Sequence, residues 1–219
     1  CDDTIADSKE HADTEIINKS MQSLKNNFYC TYFDKDFCPY GLSMLESLRE
    51  CDLSSFIFLL CLDDYTFSLV KNLDFDNVKL LQVEDLENAF PELLKAKTNR
   101  SSTEYYWTLT PYLLFYLIFK QKSCSRLTYL DADQFFYADP KIVFQEIGNS
   151  DIAIMPHRFS ESNNSSHEHG KFNVSWLTYN NNSNAHDCLA WWKKSCFDWC
   201  YAAGIDGKYG DQKYLDEFP

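Results

Sequence analysis

The sequence predicts a single α/β domain, a mostly parallel sheet flanked by helices, and three observations lead there. Apolar runs of strand length alternate with stretches of helical spacing from residue 28 onward. The run Ser54 to Leu62 is unbroken, the mark of a strand covered on both faces. At 219 residues, 45% of them hydrophobic and 16% aromatic, the chain can bury one substantial core.

The elements follow in order. Residues 1–25 are polar and acidic, with weak periodicity at Ile16, Ile17, Met21 and Leu24, and are expected to be a helical or loose segment ahead of a domain at 26–219. Phe28 to Phe33 reads as a strand closed by Asp34. Pro39 and Gly41 then lead into a helix with Leu42, Leu45 and Leu48 at helical spacing. Ser54 to Leu62 is the second strand, and Asp63 and Asp64 open a helix to about Leu73. Val78 to Val83 is the third strand, followed by acidic helical residues and Pro91. Residues 102–121 form a long aromatic helix, expected to bend at Pro111. Leu127 to Leu130 is the fourth strand, Asp139-Pro140 opens a short helix, and Asp151 to Pro156 is the fifth strand. Residues 158–170 read as a polar loop, Phe172 to Tyr179 as a strand, His186 to Ala203 as a Trp-rich helix. Gly207 to Phe218 closes as a loop and a short helix.

A net charge of −13 argues against a nucleic-acid partner, because nothing would neutralise phosphates over a broad surface. A nucleotide can still bind where a metal supplies local positive charge. The nine cysteines are odd in number and several lie within apolar segments, so buried reduced thiols are expected. Cys196 and Cys200 read as packing. No apolar window is long enough for a transmembrane helix and no signal peptide is recognisable. A cytoplasmic protein is therefore expected, with peripheral contact at the inner membrane face left open. The chain begins at Cys1 and stops at Pro219 directly after a helix, and is expected to be truncated at its carboxyl end.

Asp-x-Asp occurs three times. Asp74 and Asp76 precede a strand and read as turn residues. Asp34 and Asp36 follow the first strand with Lys35 between them, a position suited to a nucleoside. Asp131 and Asp133 stand apart: a buried strand precedes them, Ala132 separates them, and Phe135-Phe136 follow. If the extended geometry persists, carboxylates two apart face the same way at the carboxyl edge of the sheet and aim hard oxygen ligands at one divalent cation. A solvated turn is the alternative. Arg100, beside Ser101 and Ser102 at a helix start, is read equally as a phosphate or sugar contact and as a solvated charge. His157, His167 and His169 read as mobile surface histidines, and most of the aromatic set from Trp191 to Tyr201 as core or as cover for a neighbouring element.

Tyr-Leu-Asp-Ala-Asp at 129–133, followed by Phe-Phe-Tyr-Ala-Asp-Pro, resembles the metal-binding segment of nucleotide-sugar-dependent glycosyltransferases of the GT-A (Rossmann-like) fold, particularly family-8-like retaining enzymes and their bacterial relatives. From residue 28 onward the motifs run in the family's order. Phe28 to Asp34 is similar to the first strand, and Pro39 to Leu48 to the helix after it. Phe172 to Trp176 resembles a Phe-Asn-x-Gly strand, with Ser175 where glycine is usual, and Gly210-Asp211-Gln212 resembles the Asp-Gln pair beside the transferred sugar. The resemblance implies a hexosyltransferase-like enzyme that takes a UDP-sugar with Mn²⁺ or Mg²⁺ and delivers the sugar to a glycan or other acceptor with retention. It further implies that Asp131 and Asp133 hold the metal, Asp131 and Ala132 touch the donor, and Phe33 and Asp34 lie against the nucleoside. Asn173, Asp211 and Gln212 would act on the sugar. The family's third metal ligand, a histidine beyond the Asp-Gln pair, has no counterpart here. A truncated or non-catalytic nucleotide- or glycan-binding domain is therefore the alternative. Sugar-phosphate nucleotidyltransfer ranks below both, because Thr31 to Gly41 contains no Gly-rich phosphate loop.

Overall fold

The computed structural model describes residues 27–120, 124–160 and 166–218, so the segment 1–25 lies outside the described residues. Six strands form one sheet: β1 (Asn27–Phe33), β2 (Ser55–Cys61), β3 (Val78–Gln82), β4 (Arg126–Leu130), β5 (Ile152–Pro156) and β6 (Phe172–Asn180). Their order is β3-β2-β1-β4-β6-β5. Parallel pairing joins β1 to β2 and β4, and β2 to β3, whereas β6 runs antiparallel to both β4 and β5. The helices are α1 (Cys38–Cys51), α2 (Asp64–Leu73), α3 (Val83–Ala89), α4 (Leu93–Asn99), α5 (Ser102–Lys120), α6 (Lys141–Ile147), α7 (Ser166–His169) and α8 (Ser183–Asp198), followed by a 3-10 helix at Gln212–Glu217. The α/β class with a mostly parallel sheet is as expected.

Alternation along the central strands feeds two cores, one on each side of the sheet. Phe28, Cys30, Phe58, Leu60, Leu127 and Tyr129 face α5 and α8, whose Leu109, Leu113, Leu189 and Trp192 close that layer. Tyr29, Phe33, Ile57, Leu59 and Leu130 face the other way, against Met44, Leu45 and Leu48 of α1 and Phe144 of α6. Burial on both faces explains the unbroken apolar runs. All eight described cysteines are free and seven of them buried, as the apolar context of several suggests.

Several boundaries move for local physical reasons. The Trp-rich helix starts at Ser183 rather than His186, because the Asn182 side chain accepts from the Ala185 amide, and it ends at Asp198 rather than Ala203. Val83 belongs to α3, whose start is fixed by a reciprocal cap between Gln82 and Asp85. The polar loop at 158–170 contains the short helix α7. Helix α5 runs through Pro111. Proline has no N–H, so the Trp107 carbonyl four residues back loses its usual partner there. Asp74 caps α2 in the left-handed region at φ 51°, confirming a turn role. Among the described residues no helix is long and apolar enough to cross a membrane.

Gly41 sets the seating of α1 on the sheet. A Cβ there would overlap the Phe33 ring, so only glycine allows this approach. Gly41→Ala is expected to destabilise the fold by about 1–3 kcal/mol through overpacking, read as a lower urea midpoint at unchanged slope.

Candidate active site

The chain builds β1, β2 and β3 outward on one side and then returns to place β4 on the other side of β1. Ligands of open α/β sheets bind in the crevice at the carboxyl ends of strands flanking such a reversal. Asp34 follows β1 there and Asp131 follows β4. Asp34 is half-buried, and one of its carboxylate oxygens accepts from the amides of Asp36 and Phe37 at 3.0 and 3.1 Å, which rigidifies the turn into α1.

Extended geometry does not persist through the second pair of carboxylates. The strand ends at Leu130, and Ala132 and Asp133 lie in a turn. Asp131 is held by its backbone amide, which donates to the Ser175 carbonyl at 3.1 Å, and by the Tyr129 hydroxyl, which donates to its carboxylate at 3.0 Å. Ala132 is buried and Asp133 exposed. The turn nevertheless leaves both carboxylates on one cavity of about 260 Å³, whose walls include Tyr32, Phe33, Asp34, Phe37, Tyr106, Trp107 and Ala132. Burial pushes the Asp131 carboxyl up to about 6, with Asp133 adding to it and the Tyr129 hydrogen bond opposing.

A second cavity of about 150 Å³ adjoins the first and shares Tyr32, Trp107 and Asp131 with it. Its other walls are Val174, Tyr209, Gly210, Asp211 and Gln212. Asp211 is only 5% exposed. It occupies the cap position of the 3-10 helix, yet its side chain makes no capping bond. Burial and then the nearby Asp131 raise its carboxyl to about 7, against hydrogen bonds from Thr110 and from the amides of Asp211 and Gln212. Thr110 also pairs with the Tyr32 hydroxyl at 3.1 Å. Behind the site, the fully buried Trp192 donates its indole N–H to the Asp211 carbonyl at 2.9 Å. Gln212 donates its side-chain amide to the His169 carbonyl at 2.7 Å, so that donor already has a partner.

The fold therefore brings together Phe33, Asp34, Asp131, Ala132, Asp133, Asp211 and Gln212, seven of the nine residues singled out from the sequence. Asn173 stands two residues before Ser175, and its side-chain oxygen accepts from the Ser175 amide at 3.2 Å and from its hydroxyl. It does not line either cavity. Arg100 borders a third cavity of about 180 Å³, which shares Leu62 and Tyr106 with the larger one. It is not a solvated charge: the guanidinium donates to the Thr108 hydroxyl and, at 2.5 Å, to the Phe197 carbonyl, and lies 5.4 Å from the Tyr201 ring centre. Sequence reasoning missed Tyr32, Trp107, Thr110 and Tyr209. Thr110, a polar residue within an apolar stretch of helix, was the available signal, whereas Thr108 points to another side of the helix and bonds Arg100.

Two of the histidines are not mobile surface groups. His157 is half-buried and stacks on Phe159 at 4.3 Å, and His169 packs against Tyr209 at 4.4 Å. The side chain of His167 lies outside the described residues. Among the described residues, no group of three or more His, Cys, Asp or Glu is spaced to hold a metal ion. Asp131 and Asp133 still fit as a partial shell, since a hard divalent cation takes carboxylate oxygens and readily completes its coordination with phosphate and water.

No family model matches the chain. Two proteins of Bacillus subtilis (strain 168), both described as uncharacterized, are similar in sequence: YfnF is 33% identical over 195 residues and YfnD 32% over 183. These alignments take in 86% and 81% of this chain but 64% and 58% of the relatives, so the chain spans about three fifths of their length. Among solved structures, the glycosyltransferase GlyE of Streptococcus pneumoniae TIGR4 superposes with a TM-score of 0.54 at 16% identity, over 88% of this chain and 42% of its own. The galactosyltransferase LgtC, in complex with donor and acceptor sugar analogs, gives 0.55 at 15% identity, over 87% and 70%. The chain has the GT-A fold. Mouse xyloside xylosyltransferase 1 gives 0.50 at 15% identity over 87% of this chain and 80% of its own. Because the GT-A likeness extends over 87% of the chain or more in each case, it is a likeness of the domain rather than of one βα unit.

Proposed function

We propose that this domain is a metal-dependent glycosyltransferase that moves a sugar from a nucleotide diphosphate donor, a UDP-sugar, to a saccharide or other acceptor. One observation carries the reading: Asp131 belongs to two adjoining cavities, with Asp34 and Asp133 on the larger and Asp211 on the smaller. A nucleoside diphosphate joined to a sugar needs such a pair of compartments, with its charged link at the junction. Glycosyltransferases with the same fold and the ordered motifs at 28–34, 129–133 and 210–212 support the same reading. Retention of configuration rests on the sequence resemblance.

In this assignment Phe33 and Asp34 face the nucleoside, and Asp131 and Asp133 hold Mn²⁺ or Mg²⁺. Bound there, the cation supplies stabilisation of the diphosphate leaving group. Asp211 and Gln212 border the sugar. The buried Asp211 carboxylate accepts from a sugar hydroxyl and fixes the sugar's orientation. Asn173 positions the β6 backbone beside Asp131 through its bonds to Ser175.

Calorimetric titration of UDP, with and without Mn²⁺, on the wild type and Asp133→Asn tests the assignment. Binding is expected to require the metal and to weaken on the order of tenfold in the variant. Asp133 is exposed, so the substitution leaves the core untouched. Equal binding by both proteins regardless of metal would refute the central assignment. The two-carboxylate donor set also favours a second reading, a nucleotide- or glycan-binding domain without turnover. Metal-dependent UDP binding with neither donor hydrolysis nor transfer would select it.

A further inference from the structure

Tyr129 lies in the last turn of the pleat of β4, two residues before Asp131, so both side chains leave the chain on the face toward α5. The ring is 1% exposed, and its hydroxyl donates to Oδ1 of Asp131 at 3.0 Å. We propose that Tyr129 is a positioning residue of the metal site, aiming the Asp131 carboxylate at the cation, and that Tyr32 holds Tyr129 to that role. The inference rests on the transferase reading and deepens it.

Burial alone does not account for the bond. Tyr179 is equally buried in the same layer, directly across from Leu127 of β4, yet its hydroxyl has no hydrogen-bond partner among the described residues. A tyrosine hydroxyl here is therefore not obliged to pair, and that of Tyr129 does so with the one carboxylate that belongs to both cavities. The effect on Asp131 is directional. A carboxylate anchored through Oδ1 cannot turn freely about its last bond, so Oδ2 keeps a set direction. The anchor is itself rigid, because a close-packed ring has no room to swing. Partners that orient a metal ligand in this way govern its affinity for the ion.

Tyr32 stands behind the anchor. Cys30 of β1 is in register with Tyr129 of β4, which brings Tyr32 in on the same face and closer to the carboxyl edge. The two rings lie 5.7 Å apart, and their hydroxyls are within hydrogen-bonding reach. Tyr129 gives its single proton to Asp131, so wherever the two tyrosines bond, Tyr32 donates and Tyr129 accepts. A hydroxyl that accepts one bond is polarised and donates the next more strongly. On its other side Tyr32 meets Thr110 at 3.1 Å, and Thr110 bonds Asp211. One line of hydroxyls thus runs from the carboxylate of the metal site to that of the sugar site.

Calorimetry of UDP at graded Mn²⁺ gives each protein's half-saturating metal concentration, which does not depend on the fraction that folds. Tyr129→Phe keeps the ring and is expected to raise that concentration about tenfold. Tyr32→Phe should raise it by less, because Tyr129 retains its own bond to Asp131. Excess Mn²⁺ should restore the wild-type UDP affinity in both, since the donor's own contacts are untouched. Tyr179→Phe, which also removes one buried hydroxyl, should match the wild type throughout. An unchanged metal requirement in Tyr129→Phe, an equal rise in Tyr179→Phe, or a UDP affinity that excess metal does not restore overturns the inference and leaves the transferase reading intact. A larger rise in Tyr32→Phe than in Tyr129→Phe overturns the supporting role of Tyr32. A wild type that binds no UDP, or binds it regardless of Mn²⁺, overturns both readings.

Discussion

Replacing Asp211 with asparagine is expected to slow release of UDP from the sugar donor by about 10²–10³-fold, and at the same time to raise the melting temperature at pH 8. The two effects share one cause. Asp211 is a carboxyl buried beside Asp131, and in the fold it keeps its proton up to about pH 7, against an ordinary value of 3.8. A value raised in the folded state means that the associated stability is fully present below about pH 3.8 and is lost as pH rises through about 7. Asparagine cannot ionise, so the variant escapes that loss.

The melting temperatures of wild type and Asp211→Asn should therefore converge below about pH 4 and separate as pH rises through about 7, with a gain on the order of a few kcal/mol at pH 8. Scanning calorimetry of both proteins across that range, without donor or metal, is the measurement. A variant no more stable than the wild type at pH 8 contradicts the burial of an ionising carboxylate. A more stable variant with undiminished turnover would keep the electrostatics but remove Asp211 from the sugar.

The architecture was largely legible because burial on both faces leaves a direct trace. In β2, Ile57, Leu59 and Cys61 fill one core while Phe58 and Leu60 fill the other, which forces an unbroken apolar run. Asp131 was legible for the opposite reason: a carboxylate directly after such a run marks where the strand emerges from the core. Nothing local reveals that β6 inserts antiparallel between β4 and β5, since pairing is decided by contacts far apart in sequence. The turn at Ala132-Asp133 was equally hidden, because Leu-Asp-Ala-Asp is compatible with a strand or a turn. The segment after the turn is held by bonds from distant parts of the chain, from Gln134 to the Ser175 carbonyl and from the Phe136 amide to the Ser47 hydroxyl.

Trp107 shows the limit for site residues. Its neighbours Tyr105, Leu109, Tyr112 and Leu113 are buried, so composition assigns the whole helix to the core. That Trp107 and Thr110 instead reach the site depends on where α5 crosses β1 and on the distant segment 209–212, which no helical periodicity encodes. The motif implies a place beside the sugar for Asp211, but its burial against Trp192 and its proximity to Asp131 come from tertiary packing alone.

Arg100 presents the sharpest division between a ligand role and a structural one, and its substitution carries the other large expected effect. The residue sits in extended backbone between α4 and α5. Its guanidinium spans from Thr108 to the Phe197 carbonyl in the last turn of α8 and lies against Tyr201. A cation at the carbonyl end of a helix is favourable, and the planar fork satisfies two partners that a lysine could not reach together. Arg100→Met removes a charge-assisted bond and leaves the Phe197 carbonyl without it, so a loss of roughly 1.5–3 kcal/mol is expected, or about 3–12 °C in melting temperature. Arg100→Lys should recover only part of this. With the guanidinium committed in this way, the UDP affinity of the folded fraction should not change in either variant. A tenfold loss of affinity at an unchanged melting temperature would instead make Arg100 a donor contact, and would require the side chain to leave Phe197 when the donor binds.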